Sequence, residues 1–211
     1  MQLRTNNHLV LPFVHQKLFP PEICKKIIDH CKSKWELKKK GKIGDDIDPK
    51  GKRLDLSYRN VNLHMPEYEF GTGSDFENSF LKTMIDTIMG LNGAPHGWHF
   101  HLDGPHEPPI LMEYETDKEN PSQYKAHMDL GLDYPSANRK IAYSVHLNYG
   151  EYEGGELEML LEETWQPLHV DFDFHAGMMI LFPAYIMHCV TPVTKGTRYT
   201  LTGWVHGDSF A

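Results

Sequence analysis

The chain has 211 residues, 40% of them hydrophobic and 24% charged, with a formal net charge of -8. That length suits one domain able to bury its own core, and the acidic balance excludes a general nucleic-acid binder. Three cysteines without Cys-x-x-Cys spacing argue against a disulfide framework or zinc ribbon, and no membrane-length apolar run or cationic leader is present, so a cytoplasmic protein is expected.

In chain order, the first predicted element is a helix over 18–32. Pro20 and Pro21 suit its start, Glu22 its first turn, and Ile23, Ile27 and Ile28 form an apolar stripe. Residues 33–53 carry eight basic against four acidic side chains and read as a mobile surface loop. A second helix is expected over 76–91, with Phe80, Leu81, Met84, Ile85 and Ile88 at helical spacing. From residue 96 onward, short strands alternate with turns. The expected strands are Trp98–Leu102, Ile110–Glu115, Tyr124–His127, Ile141–Asn148, Glu156–Leu161, Pro167–Phe174, Met178–Phe182, Cys189–Pro192 and Arg198–His206. The class is therefore α+β: a single domain, 1–211, with a helical support region over 1–95 and an antiparallel barrel over 96–211.

Histidine is abundant, at 14 residues. Two histidines and one carboxylate on one face form the ligand set of a non-haem iron site with open coordination positions. A His-x-Asp on an extended segment supplies two of the three, because residues i and i+2 share a face. Four such pairs occur: His101/Asp103, His127/Asp129, His169/Asp171 and His206/Asp208. Only His127/Asp129 leaves four predicted strands before His188, enough for the chain to fold back and bring a distal ligand. Arg198 stands ten residues beyond His188. An antiparallel pairing of their strands would bring both into one pocket, where a guanidinium can grip a carboxylate through two parallel bonds.

Several segments carry a family resemblance. Tyr124–Asp129, Tyr152–Leu157, Leu181–Pro183 and His188–Val193, with Arg198 and Trp204, resemble the prolyl 4-hydroxylase-like branch of the Fe(II)/2-oxoglutarate-dependent dioxygenases. The likeness is strongest over 110–206 and weaker over 10–95, where helix 18–32 and Tyr58–Val61 look similar to the family's support region. The resemblance implies a double-stranded β-helix (a jelly-roll, cupin-like barrel) with Fe(II) held by His127, Asp129 and His188. It implies 2-oxoglutarate as cosubstrate, O2 as oxidant and ascorbate as an accessory reductant. By the same pattern Arg198 pairs with the distal carboxylate of 2-oxoglutarate and Tyr114 helps to hold that cosubstrate. His146 stands where relatives often carry a tyrosine near the same carboxylate, and Thr202 and Trp204 match the pocket wall. The retained Asp129 favours hydroxylation over halogenation.

The substrate expected from the resemblance is proline in a peptide or protein, covered by the loop 33–53 and the segment 130–140. Two alternatives remain at this point. One is hydroxylation of a free amino acid or other small molecule; the other is a cupin-like barrel that binds a metal or ligand without oxidation.

Overall fold

The computed structural model describes residues 12–15, 17–38, 42, 53–67, 72–116, 119–161, 164–168 and 173–208. Its elements in chain order are β1 (Phe13–His15), α1 (Pro21–Lys34), β2 (Glu36–Lys38), β3 (Asn62–Met65), α2 (Asp75–Gly93), β4 (Ile110–Glu115) and β5 (Tyr124–His127). They continue through β6 (Arg139–His146), β7 (Glu153–Gly154), β8 (Leu157–Leu161), β9 (Thr164–Pro167), β10 (Met179–Pro183), β11 (His188–Val190), β12 (Val193–Lys195) and β13 (Thr197–His206). A large sheet runs in the order β1-β10-β6-β13-β4-β3-β2, and a small one β5-β11-β8-β9, with β12-β7 as a separate ribbon. The pairings are antiparallel throughout.

The central strands of the large sheet are apolar on both faces because both faces are covered. Leu111, Ile141, Tyr143, Val145, Met179, Leu181, Leu201 and Val205 point toward the helices, where they meet Cys24, Ile27, Phe80, Leu81, Met84 and Ile88. The alternate residues Ile110, Met112, Tyr114, Ala142, Ile180, Phe182 and Trp204 face Leu157, Met159, Leu161 and Val190 of the small sheet. Period-2 alternation thus sorts each strand between two cores. Among the described residues no helix is long and apolar enough to cross a membrane.

α1 begins at Pro21 rather than at residue 18, because Pro20 is extended (ψ 156°) and acts as the N-cap. Leu18 and Phe19 instead donate their N–H groups to the Gly177 carbonyl. α2 is set by a capping box: Ser74 accepts from the Glu77 N–H, and the Glu77 carboxylate accepts from the Ser74 N–H.

Three further expectations are corrected. The strand expected over Pro167–Phe174 is instead β9 at Thr164–Pro167, with residues 168, 173 and 174 outside any strand. Trp98–Leu102 is not a strand: Asn92 at the end of α2 bonds both the N–H and the carbonyl of Phe100, and His99 has φ 55°. Those main-chain groups are satisfied by a helix end, not by a ladder. The basic segment 33–53 is not one loop, since residues 33–34 end α1 and Glu36–Lys38 pair with β3 as β2. Residues 39–41 and 43–52 lie outside the described residues, as do His169 and Asp171.

Candidate metal centre

His127 closes β5, and His188 opens β11 directly opposite it in the ladder. Cross-strand neighbours share a face, and the two rings lie 4.2 Å apart between centroids. Asp129 follows two residues after His127, its N–H bonded to the Ala184 carbonyl at 2.9 Å. Its carboxylate lies 3.7 Å from Nε2 of His127 and 3.6 Å from Nε2 of His188. One donor atom from each of the three lies within 4.8 Å of the others, and they are the one such group of three found among the described residues.

The tautomers suit a metal. Nδ1 of His127 lies 2.8 Å from the Lys125 carbonyl, and Nδ1 of His188 lies 3.0 Å from the Ile186 carbonyl. A carbonyl only accepts, so each Nδ1 carries a proton and each Nε2 is the ring nitrogen turned toward Asp129 as the candidate ligand atom. Burial, with His188 adding to it, pushes His127 down to about 3, so it is neutral at physiological pH. Burial alone would raise the Asp129 pKa. His188, His127 and Arg139 more than offset that, and Asp129 is held below the usual carboxylate range. The Trp204 indole N–H adds to this pull without closing a bond of ordinary geometry. Two imidazole Nε2 atoms and one carboxylate fit a divalent first-row ion such as Fe(II).

A cavity of about 1020 Å³ opens above these residues. Arg198 lines it from the large sheet, buried to 1% exposure, and no carboxylate pairs with it among the described residues. Its Nε is without a partner, Nη1 reaches only the Thr200 hydroxyl at 3.4 Å, and the guanidinium sits 4.9 Å over the Tyr114 ring. Tyr114, Thr202 and Trp204 line the same cavity. His146 is not among the lining residues. It sits on β6 opposite Thr200, fully enclosed, with both ring nitrogens unpartnered. Burial, and then the charge of Arg198, drives its pKa well below the ordinary value.

His188 and Arg198 share a pocket, but not because their strands pair. β11 belongs to the small sheet and β13 to the large one, so the two residues face each other across the barrel. Of the rejected pairs, His101 is exposed and bonds Asp208, while His206 turns inward to Glu107. Among the cavity residues to which sequence reasoning gave no role of their own are Arg59, Glu107, Tyr124 and Arg139. Tyr124 stacks on His127 at 3.5 Å with a 16° tilt, and Arg59 lies 4.5 Å over the Tyr124 ring. Tyr124 was visible, three residues before His127 in an otherwise polar stretch. Residues 130, 131 and 133–136 also line the cavity, with Tyr134 largely exposed at its mouth.

The model of the 2OG-Fe(II) oxygenase superfamily matches residues 111–206, which contain the three metal-ligand candidates and Arg198. That match covers a little under half of the chain. The superfamily's description implies Fe(II) and 2-oxoglutarate, for which the donor set and the buried guanidinium are chemically suited. A PKHD-type hydroxylase of Aliarcobacter butzleri (strain RM4018) is 30% identical over 139 residues, covering 63% of this chain and 57% of that relative. The chain therefore spans little more than half of that relative's length. A prolyl-4-hydroxylase of Pseudomonas putida superposes with a TM-score of 0.66 at 17% identity, covering 95% of this chain and 94% of that one. A prolyl hydroxylase from Trichoplax adhaerens, in complex with a hypoxia inducible factor peptide fragment, gives 0.69 at 13% identity, covering 95% and 84%. At these identities the superpositions establish a shared fold, the double-stranded β-helix with two supporting helices.

Proposed function

We propose that the chain is a 2OG-Fe(II) oxygenase that hydroxylates proline in a peptide or protein, with release of succinate and CO2. In this reading His127, Asp129 and His188 hold Fe(II), and Arg198 holds the distal carboxylate of 2-oxoglutarate. The observation that carries it is Arg198. A buried guanidinium without a counter-ion is costly unless a ligand supplies one, and a cavity-lining position makes an anionic ligand the natural partner. A barrel that merely bound metal would have no use for it.

When bound, Fe(II) and 2-oxoglutarate supply oxygen activation coupled to decarboxylation of the keto acid. The protein's own groups do the rest. His127, His188 and Asp129 would hold the ion. Arg198 would hold the far carboxylate of the cosubstrate, and the Tyr114 hydroxyl, which donates to the Met112 sulfur at 3.4 Å and lies beside Arg198, would support it. Leu157, Phe182 and Trp204 keep water from the inner cavity. A peptide substrate is favoured by the wide mouth, rimmed by Tyr58, Arg59, Met128 and Tyr134. The segment 130–140, with Lys38 and Lys42 of the cavity wall, is the cover in this reading.

Anaerobic titration with Fe(II) and then 2-oxoglutarate should develop the weak visible band of a chelated keto acid. Its absence with both present in excess would remove the cosubstrate assignment. Admission of oxygen with a proline-rich peptide library should add one oxygen atom per succinate formed. Failure there, beside coupled turnover of a free amino acid, would shift the substrate to small molecules and leave the metal site intact.

A further inference from the structure

Beside Asp129 the cavity wall holds an ion pair that the ligand set does not use. Arg139, at the start of β6, donates Nε–H to Oε2 of Glu107 at 2.6 Å and Nη2–H to Oε1 at 2.5 Å. A third donor, Nη1–H, reaches the main-chain carbonyl of Asp129 at 3.0 Å, and the guanidinium lies 3.5 Å over the Trp204 ring. Glu107 is held from behind by His206, whose Nε2 is 3.0 Å from Oε2. The His206 ring is fully buried, and its Nδ1 accepts the backbone N–H of His106 at 3.0 Å. An accepting Nδ1 carries no proton, so His206 is neutral and its Nε2–H must donate to Glu107. Both oxygens of Glu107 are thereby committed, and Arg139 has one allowed orientation.

Asp129 is consequently fixed through both of its main-chain polar groups: its N–H by Ala184 and its carbonyl by Arg139. We propose that Glu107, anchored by His206, is a positioning residue for the metal site, acting through Arg139 to hold Asp129 in place. The inference rests on the reading of Asp129 as a metal ligand. Without the Glu107 carboxylate, Arg139 would stay largely enclosed beside an anionic ligand. It would swing onto the Asp129 carboxylate and compete with the metal for the same oxygens. Outer partners of metal ligands commonly act in this way, and their loss weakens binding roughly 10- to 100-fold.

The test is Co(II) binding to the full chain, followed by its visible spectrum and by competition with a chelator, with no turnover required. Glu107→Gln should weaken Co(II) binding roughly 10- to 100-fold and alter the Co(II) spectrum. The double variant Glu107→Gln/Arg139→Gln should bind no more weakly than Arg139→Gln alone, because the two residues act in series. Co(II) affinity within about twofold of wild type in Glu107→Gln, while Asp129→Ala loses tight binding, overturns the positioning role and leaves the ligand assignment standing. Unchanged binding in Asp129→Ala overturns both. If Glu107→Gln fails to fold, Arg139→Lys carries the test: charge stays, the fork is lost, and a wild-type Co(II) constant would refute the role.

Discussion

Arg198 and Gly155 are two halves of one device. Gly155 has φ 63°, and a Cβ there would stand 2.8 Å from Cδ of Arg198 and 2.9 Å from Cγ2 of Val193. Its backbone conformation disfavours a side chain, and the missing side chain is the space the arginine stem occupies. Gly155→Ala should therefore push Arg198 off line, raising the 2-oxoglutarate dissociation constant several-fold, with about 1–2 kcal/mol of stability lost. Calorimetric titration alongside thermal melts reads both, and an unaltered dissociation constant would mean the backbone relaxes around the methyl. Arg198→Lys keeps the charge and loses the fork. It should raise KM for 2-oxoglutarate roughly tenfold while lowering kcat less; equal KM values in steady-state assays would place the arginine outside the cosubstrate site. His127→Ala, Asp129→Ala and His188→Ala should each lower iron-dependent succinate release by roughly 100-fold or more. Wild-type rates in any of them would strike that residue from the ligand set.

At the scale of elements, α1 is fastened to the large sheet by a polar cluster within an apolar contact. Lys32 of α1 donates to Glu113 of β4 at 2.6 Å and to the Tyr199 hydroxyl at 2.8 Å. Tyr199 donates to Glu113 at 2.8 Å, and His64 of β3 lies 3.2 Å from its other oxygen. The bond from His64 leads the effects that take Glu113 from an ordinary 4.5 to about 2. A depressed carboxylate stabilises the fold fully above 4.5, and that contribution is lost as pH falls toward 2. Lys32 is held protonated beyond its ordinary 10.5, so it stays charged across this window. Glu113→Gln should cost about 1–3 kcal/mol at neutral pH and flatten the acid limb of the stability curve; an acid limb as steep as wild type would assign it to other carboxylates. This cluster also explains what the sequence concealed. In β3, Asn62 and His64 are buried polar residues that bond Glu115 and Glu113, and the Asn-Leu-His-Met alternation is only four residues long with its polar face buried rather than solvent-facing, so it does not stand out as a strand. β4 and β5 were legible to the residue, because their apolar or ligand-bearing pattern coincides with their pairing. The ribbon of β7 and β12 was not, since strands of two and three residues carry no periodicity. In the site, the His-x-Asp spacing and the arginine offset were readable. Arg139, Glu107 and Arg59 were not, because their roles depend on side chains brought together from distant segments.

Across the whole molecule, the candidate metal ligands and the candidate cosubstrate anchor belong to different layers. His127 and His188 sit on the small sheet, and Asp129 directly follows β5, whereas Arg198 extends from the large sheet. A metal alone would tie together only β5, β11 and the turn after β5. A keto acid chelated to that metal and gripped by Arg198 would span the barrel and connect both sheets. Binding to the folded state alone stabilises it by RT ln(1 + [L]/Kd), about 2.7 kcal/mol at a hundred times Kd. For a chain of this length that corresponds to a rise in Tm of roughly 5–10 °C. The two ligands should also be coupled: without metal, 2-oxoglutarate keeps only the Arg198 contact and loses its chelate. Thermal unfolding with Mn(II), which occupies such sites without turnover, should show a modest shift for metal alone and almost none for 2-oxoglutarate alone. With both present the shift should exceed their sum, and Arg198→Ala should abolish that excess while preserving the shift from metal. Strictly additive shifts in the wild type would mean that the keto acid does not bridge the two sheets, and would separate the metal site from the arginine.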